Sequence, residues 1–115
     1  MQRPGANQAD MRPDDFLCDF CRAPWDGAFP MVEGHQGSLI SGDCLTAAYR
    51  AVVLGGGPTA PGGYTCTMCL ERRDEPGWSA PGEEIDAQIC RRCIRQAATK
   101  LDRDPDWPWS KPAPQ

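Results

Sequence analysis

The chain lacks the long apolar segments that mark a membrane protein. Its longest uninterrupted apolar run, Ala51 to Leu54, is far shorter than the roughly 20 residues that a membrane-spanning helix needs. The first residues, Met1 to Arg12, also lack the apolar run of a secretory signal peptide. These two absences predict a soluble protein of the reducing, cytoplasmic compartment, with no membrane partner.

Positive charge is also in short supply. The sequence has 12 lysines and arginines against 16 aspartates and glutamates, which gives a net charge of −4. Proteins bind nucleic acid largely through basic side chains that displace counterions from phosphates, so nucleic acid is an unfavourable partner. One basic group keeps an alternative open, in which a basic C-terminal helix binds nucleic acid; it comprises Arg91, Arg92, Arg95 and Lys100.

The motifs of nucleotide-hydrolysing and redox enzymes are missing as well. No G-x-x-x-x-G-K-[ST] loop occurs, and the glycine-rich segment 55–63 offers no lysine to contact nucleotide phosphates. No strand–helix–strand pattern surrounds the CxxC pairs of the chain, which a thioredoxin-like redox site would need. We therefore predict that the protein is not an enzyme.

The seven cysteines are the most informative feature that is present. Four of them form two CxxC pairs twenty residues apart, Cys66–Cys69 and Cys90–Cys93. Four thiolates in two short pairs supply the tetrahedral coordination that zinc takes in structural sites. Disulfides are a weaker interpretation, because they need an oxidising compartment and an odd number of cysteines leaves one thiol unpaired. The spacing therefore predicts a zinc ion at these four cysteines.

A second, incomplete set follows the same frame earlier in the chain and comprises Cys18, Cys21 and Cys44. Ser41 stands where the fourth cysteine is expected, and a serine hydroxyl is a poor zinc ligand near neutral pH. The fourth ligand is therefore open. His35, the only histidine, would complete a Cys₃His set, and Asp43 would supply a carboxylate. In the simplest alternative, His35 is a surface side chain and binds no metal. We therefore expect the Cys₃ set to bind zinc less tightly than the Cys₄ set.

The two cysteine sets divide the chain into modules. The expected organisation is a disordered N-terminus (1–13), a first module with the Cys₃ set (14–54), a Gly/Pro linker (55–63), a second module with the Cys₄ set (64–102) and a Pro/Trp-rich tail (103–115). Pieces of roughly 40 residues bury too little apolar surface to fold without a metal or crosslinks. The tail contains Trp107 and Trp109, which would dock on their own domain or on a partner.

Patterns around the cysteines predict the local structure of each module. Glycine and proline before the last cysteines indicate hairpin turns, and apolar residues at helical spacing follow them. We expect a small metal-stabilised α+β fold: two treble-clef-type zinc fingers, each a β-hairpin plus a helix. The apolar helix faces would pack against each other as an internal pseudo-dimer.

The segments FLCDFC…LISGDCL and YTCTMC…QICRRCI resemble the C4 zinc-binding domain at the N-terminus of the ClpX unfoldase. The resemblance covers Phe16–Val53 and Tyr64–Leu101. It implies a treble-clef dimerising domain that binds adaptors and substrates, with the four cysteines of the second module as its complete ligand set. Since the ATPase module of that family is missing, we expect a non-enzymatic protein–protein interaction or adaptor module.

Overall fold

Two short β-hairpins each lead directly into a helix in the computed structural model, which describes residues 1–114. The elements follow one another in the order β1 (Met31–Glu33), β2 (Leu39–Ser41), α1 (Gly42–Ala48), β3 (Tyr64–Thr65), β4 (Arg72–Arg73), β5 (Trp78–Ser79), β6 (Gln88–Ile89) and α2 (Arg91–Asp102). The strands pair antiparallel as β1–β2, β3–β4 and β5–β6. They are short because 12 glycines and 12 prolines interrupt the chain. The predicted small α+β fold with short hairpins is confirmed.

The first hairpin places α1 directly behind its second strand. Val32 pairs with Ile40, and both side chains point into the core. Ser41 then ends β2 and caps α1, because its hydroxyl accepts a hydrogen bond from the Cys44 N–H at 3.2 Å. A π-helical turn, Tyr49–Val53, continues the helix.

The second hairpin repeats this arrangement. Trp78 pairs with Ile89, and Cys90 is the N-cap of α2. The buried residues of α2 fall at helical spacing on one face and comprise Cys93, Ile94, Ala97, Ala98 and Leu101. Within residues 1–114, neither helix is long and apolar enough to cross a membrane.

One hydrophobic core contains residues of both halves of the chain. The Phe20 ring packs against the Trp78 ring, with centroids 5.7 Å apart. The His35 N–H donates to the Met68 carbonyl at 2.8 Å, which joins the first hairpin to the second half. Helix α2 also packs against α1 and against the turn that follows it. Each half therefore buries part of the apolar surface of the other.

The N-terminus and the linker also contact the rest of the protein. Gln2, in the segment whose composition predicts disorder, forms an antiparallel bridge with Phe16. In the linker, Ala60 and Gly77 exchange two backbone hydrogen bonds of 2.7 and 2.9 Å. Backbone hydrogen bonds give both segments a defined path along the modules.

The C-terminal tail docks on the first module. The Trp109 indole N–H lies 2.9 Å from the Thr46 hydroxyl and 3.2 Å from the Gly42 carbonyl, and donates to both. A Cβ on Gly42 would lie 3.3 Å from Trp109 Cδ1, so glycine leaves room for the ring. Trp107 and Trp25 line one cleft of the first module. Of the two alternatives for the tail, the structure shows docking on its own chain.

Replacing Trp109 by alanine is expected to lower the free energy of unfolding by roughly 1–3 kcal/mol, because a half-buried ring and its hydrogen bonds are lost. Trp109→Phe keeps most of the ring area but no N–H, so it should lose only about 1 kcal/mol. Chemical denaturation of the reduced, zinc-loaded protein measures both changes. Ser110→Ala is the exposed control, and a Trp109→Ala protein as stable as this control would contradict tail docking.

Candidate metal centre

The structure gathers four cysteines of the second half into one cluster, formed by Cys66, Cys69, Cys90 and Cys93. Their Sγ atoms all lie within 4.8 Å of one another. The first two come from the turn between β3 and β4, and the last two from the junction of β6 with α2. Three of the four are buried and Cys69 is partly exposed. The β3–β4 turn and the β6–α2 junction therefore place their sulfurs next to one another.

The β3–β4 turn is shaped by a residue in the left-handed region. Leu70 has φ 65°, which is uncommon for a residue other than glycine. Its N–H donates to the Cys66 carbonyl at 2.8 Å, and the Cys66 N–H donates to the Glu71 carbonyl at 2.9 Å. These bonds close the chain into a knuckle that turns both of its sulfurs towards α2.

Hydrogen bonds to Cys66 favour a thiolate at the centre of this cluster. Its Sγ accepts from the Cys90 N–H at 3.4 Å. Hydrogen bonds from the Cys90 and Cys93 thiols lower the pKa of Cys66, whereas hydrogen bonds with Cys66 and Cys90 raise the pKa of Cys93. Without a metal, Cys66 therefore loses its proton most readily, while Cys90 and Cys93 retain theirs. Metal binding would displace those protons, so metal affinity falls as the pH is lowered.

Arg73 is a charged neighbour of this cluster that the sequence pattern does not indicate. Its guanidinium donates to Cys69 Sγ at 3.6 Å and to the Glu71 carboxylate at 2.8 Å. A positive side chain beside the sulfurs offsets part of the charge of a four-thiolate set. Only its position, four residues after the second cysteine, could have indicated this contact.

The first half gathers Cys18, Cys21 and Cys44 into a second cluster, again with all Sγ atoms within 4.8 Å. Cys18 Sγ is 3.9 Å from Cys44 Sγ, and it accepts from the Phe20 N–H at 3.4 Å and the Ser41 N–H at 3.3 Å. The hydrogen bond from the Cys44 thiol lowers the pKa of Cys18 to about 5. Cys21 is exposed, whereas the other two are buried. This cluster is therefore more open to solvent than the four-cysteine cluster.

The knuckle of the first cluster has the same backbone geometry as the knuckle of the second. Arg22 has φ 64°, and its N–H donates to the Cys18 carbonyl at 2.9 Å. The Cys18 N–H donates to the Ala23 carbonyl at 3.0 Å. The corresponding bonds of the second knuckle are made by residues 48 positions later.

Each knuckle is also fixed to its hairpin by a matched pair of hydrogen bonds. The Asp19 N–H donates to the Leu39 carbonyl at 2.9 Å, and the Asp19 carboxylate accepts from the Leu39 N–H at 2.8 Å. Thr67 makes the same two bonds with Gln88, at 2.7 and 3.0 Å. The sequence pattern does not indicate these two residues, since each is a common polar residue after the first cysteine.

The structure does not bring the predicted fourth ligands to the first cluster. His35 is exposed in the 3-10 turn His35–Gly37 between β1 and β2, where its backbone bonds to the second half. Asp43 borders the same cleft as Cys21, but its carboxylate is not among the clustered ligand atoms. Among residues 1–114, no histidine or carboxylate joins the three sulfurs.

Both clusters fit a thiophilic metal ion such as zinc. Two sulfurs bound to one tetrahedral zinc ion lie about 3.8 Å apart, close to the 3.9 Å between the sulfurs of Cys18 and Cys44. Buried thiols that face one another and accept backbone N–H groups are the donors that a structural site uses. The two groups of cysteines can each hold one ion.

The chain matches no protein-family model, and searches of curated proteins and of solved structures find no match either. Its functional assignment therefore depends on the chemistry of the two cysteine clusters.

Replacing Cys66 by serine is expected to unfold the second half of the protein. Structural zinc contributes roughly 10 kcal/mol or more to modules of this size, and Cys66 is the buried sulfur that its neighbours donate to. Elemental analysis should show about one zinc ion fewer per chain than in the wild-type protein, and circular dichroism should show loss of α2. Native-like circular dichroism without zinc in the variant would contradict a structural metal.

Replacing His35 by alanine is expected to leave the metal affinity of the first cluster unchanged, because the exposed imidazole does not reach the sulfurs. Competition with a chromogenic chelator measures the affinity. Cys44→Ala is the comparison, since it removes one of the three sulfurs and should abolish binding there. A weaker first site in the His35→Ala protein would show that the histidine ligates.

Proposed function

We propose that the chain is a non-enzymatic zinc-binding protein of the ClpX zinc-binding-domain type. In this proposal two treble-clef-type fingers pack as an internal pseudo-dimer and act as a cytoplasmic protein–protein interaction or adaptor module. The observation that carries it is the pair of cysteine clusters, each held between a knuckle and the start of a helix. Treble-clef fingers place their ligands at these two positions.

Matched backbone bonds support the tandem arrangement. The knuckles share their left-handed residue, their two closing hydrogen bonds and their side-chain bond to the hairpin. The halves differ mainly in the hairpin turn, which joins Glu33 to Leu39 in the first and Ser79 to Gln88 in the second. An insertion at a solvent-facing turn leaves the metal ligands in register.

Reciprocal contacts support the pseudo-dimer. Phe20 and Met68 hold the same place in the two knuckles, and Val32 and Trp78 hold the same place in the two hairpins. Phe20 packs on Trp78, while Val32 and Met68 line one cleft together. Contacts that repeat in both directions are those of a two-fold interface. The linker holds one module near the other at high effective concentration.

The surroundings of the sulfurs support a structural role for the metal. A catalytic zinc site keeps one position for water or substrate and commonly uses few cysteines, whereas a Cys₄ set is closed. The complete cluster here is a Cys₄ set with three buried members. Its position at the junction of β6 and α2 fits a metal that holds elements together.

An apolar cleft of about 320 Å³ supports a protein partner. We call it the tail cleft; it is lined mainly by Phe16, Trp25, Met31, Leu39 and Trp107. Aromatic side chains and methionine are enriched at the centres of protein–protein interfaces. The cleft is bordered by Glu33, which favours partner segments that carry a positive charge beside an apolar anchor.

The alternative function, nucleic-acid binding, is favoured by one observation. Arg91, Arg92 and Arg95 are all exposed and line one surface of α2. Glu75 lines the same surface and reduces its positive charge. Since the whole chain carries a net charge of −4, its overall electrostatic field does not attract nucleic acid towards these arginines.

The zinc-loaded, reduced protein is expected to bind peptides with an aromatic or aliphatic anchor and to show no nucleic-acid binding at about 150 mM salt. A peptide array tests the first expectation, and fluorescence anisotropy with labelled DNA and RNA tests the second. Met31→Lys places a charge in the tail cleft and should reduce peptide binding. Thr59→Lys, an exposed linker position, is the matched control.

A salt-dependent anisotropy change that disappears in an Arg91→Gln, Arg92→Gln, Arg95→Gln triple variant would instead establish the alternative function. If Met31→Lys leaves peptide binding unchanged, the partner binds at a surface other than the tail cleft.

A further inference from the structure

Ser41 occupies, at the first cluster, the place that Cys90 occupies at the second. Each is the last residue before its helix and serves as the N-cap. The Ser41 N–H donates to Cys18 Sγ at 3.3 Å, and the Cys90 N–H donates to Cys66 Sγ at 3.4 Å. The backbones of Ser41 and Cys90 therefore have the same position relative to their clusters.

The Ser41 side chain also faces its cluster. Its Oγ is 4.0 Å from Cys21 Sγ. It also accepts from the Cys44 N–H at 3.2 Å, which fixes the hydroxyl beside the start of α1. An oxygen beside Cys21, on the residue that corresponds to Cys90, is the candidate for the fourth corner of the cluster.

The spacing suits a shared metal ion. A sulfur and an oxygen bound to one tetrahedral zinc ion lie about 3.6 Å apart, slightly closer than the two atoms of Cys21 and Ser41. Ser41 is only 3% exposed, so its hydroxyl faces the cluster and not bulk water. One lone pair of its oxygen accepts the Cys44 N–H, and a second lone pair remains for a metal.

We propose that the Ser41 hydroxyl is the fourth metal ligand of the first cluster, which makes it a Cys₃Ser site. This inference rests on the proposed zinc binding and deepens it. The oxygen donor carries less charge than a thiolate, so the first site holds its ion less tightly than the Cys₄ site does. A cleft of about 330 Å³, lined by Cys21, Phe29 and Trp78 among others, gives exchanging ligands access to it. The chain would thus combine one permanent and one exchangeable ion.

Cobalt(II) titration of the full, reduced chain tests the assignment, because the visible bands of tetrahedral cobalt depend on its donor atoms. The wild-type protein should bind two ions with two distinct sets of bands, from a four-sulfur and a three-sulfur site. In Ser41→Cys, the bands of the first site should shift to the positions of the four-sulfur bands. The cobalt affinity of the first site should rise at least about tenfold, because a change in even an outer-shell partner usually alters metal affinity by that factor.

Ser41→Gly removes the oxygen, while glycine remains a good N-cap, so the helix start is kept. This variant should bind cobalt at the first site at least about tenfold more weakly than Ser110→Gly, an exposed control. The second site provides an internal control in every variant.

Bands that do not move in Ser41→Cys, or an unchanged first-site affinity in Ser41→Gly, would overturn the assignment of Ser41. A wild-type stoichiometry of one ion, held by the Cys₄ cluster, would also overturn it but leave the proposed zinc module in place. In this titration, the absence of any bound cobalt would overturn the proposed zinc binding as well.

Discussion

Buried sulfur next to the start of a helix is the arrangement on which this structure depends. Cys18 and Cys66 are completely buried, and each accepts an N–H from the residue that caps the following helix. Such a contact stabilises a thiolate, and several thiolates in one place are stable only around a cation. Because each half has too few apolar residues for an independent core, the knuckle, hairpin and helix of a module are joined mainly through this point.

The two halves compensate for their small size by covering each other. The Phe20 ring packs on Trp78, and the first hairpin donates a backbone hydrogen bond to the second knuckle at Met68. A single shared core has a larger ratio of buried to exposed surface than two separate ones. Each half therefore stabilises the other, although each contains its own cluster.

Similar backbones surround two clusters with different chemistry. The second cluster has four sulfurs and a guanidinium beside Cys69, while the first has three sulfurs, an exposed Cys21 and the hydroxyl of Ser41. The docked tail adds a further difference, since Trp109 bonds to α1 of the first module only. The second half encloses its cysteines more completely, and the first presents the more accessible cysteine cluster and the tail cleft.

The sequence by itself determined which cysteines group together, where the hairpins turn and where the helices begin. These features depend on spacings of a few residues, because hydrogen bonds within a knuckle or an N-cap join near neighbours. It also indicated Ser41 as the odd residue of the repeat. It did not place His35, whose direction depends on a turn that contains Gln36 at φ 53°.

Only the tertiary structure decided the contacts between distant parts of the chain. The Trp109 indole N–H donates to the carbonyl of Gly42, 67 residues earlier, and the Arg73 guanidinium donates to Cys69 Sγ. Such contacts arise from the packing of whole elements, where many weak interactions must be satisfied together. No local spacing encodes them, so the position of the tail, the contact of Arg73 with the second cluster and the position of the Ser41 oxygen beside Cys21 follow from the fold.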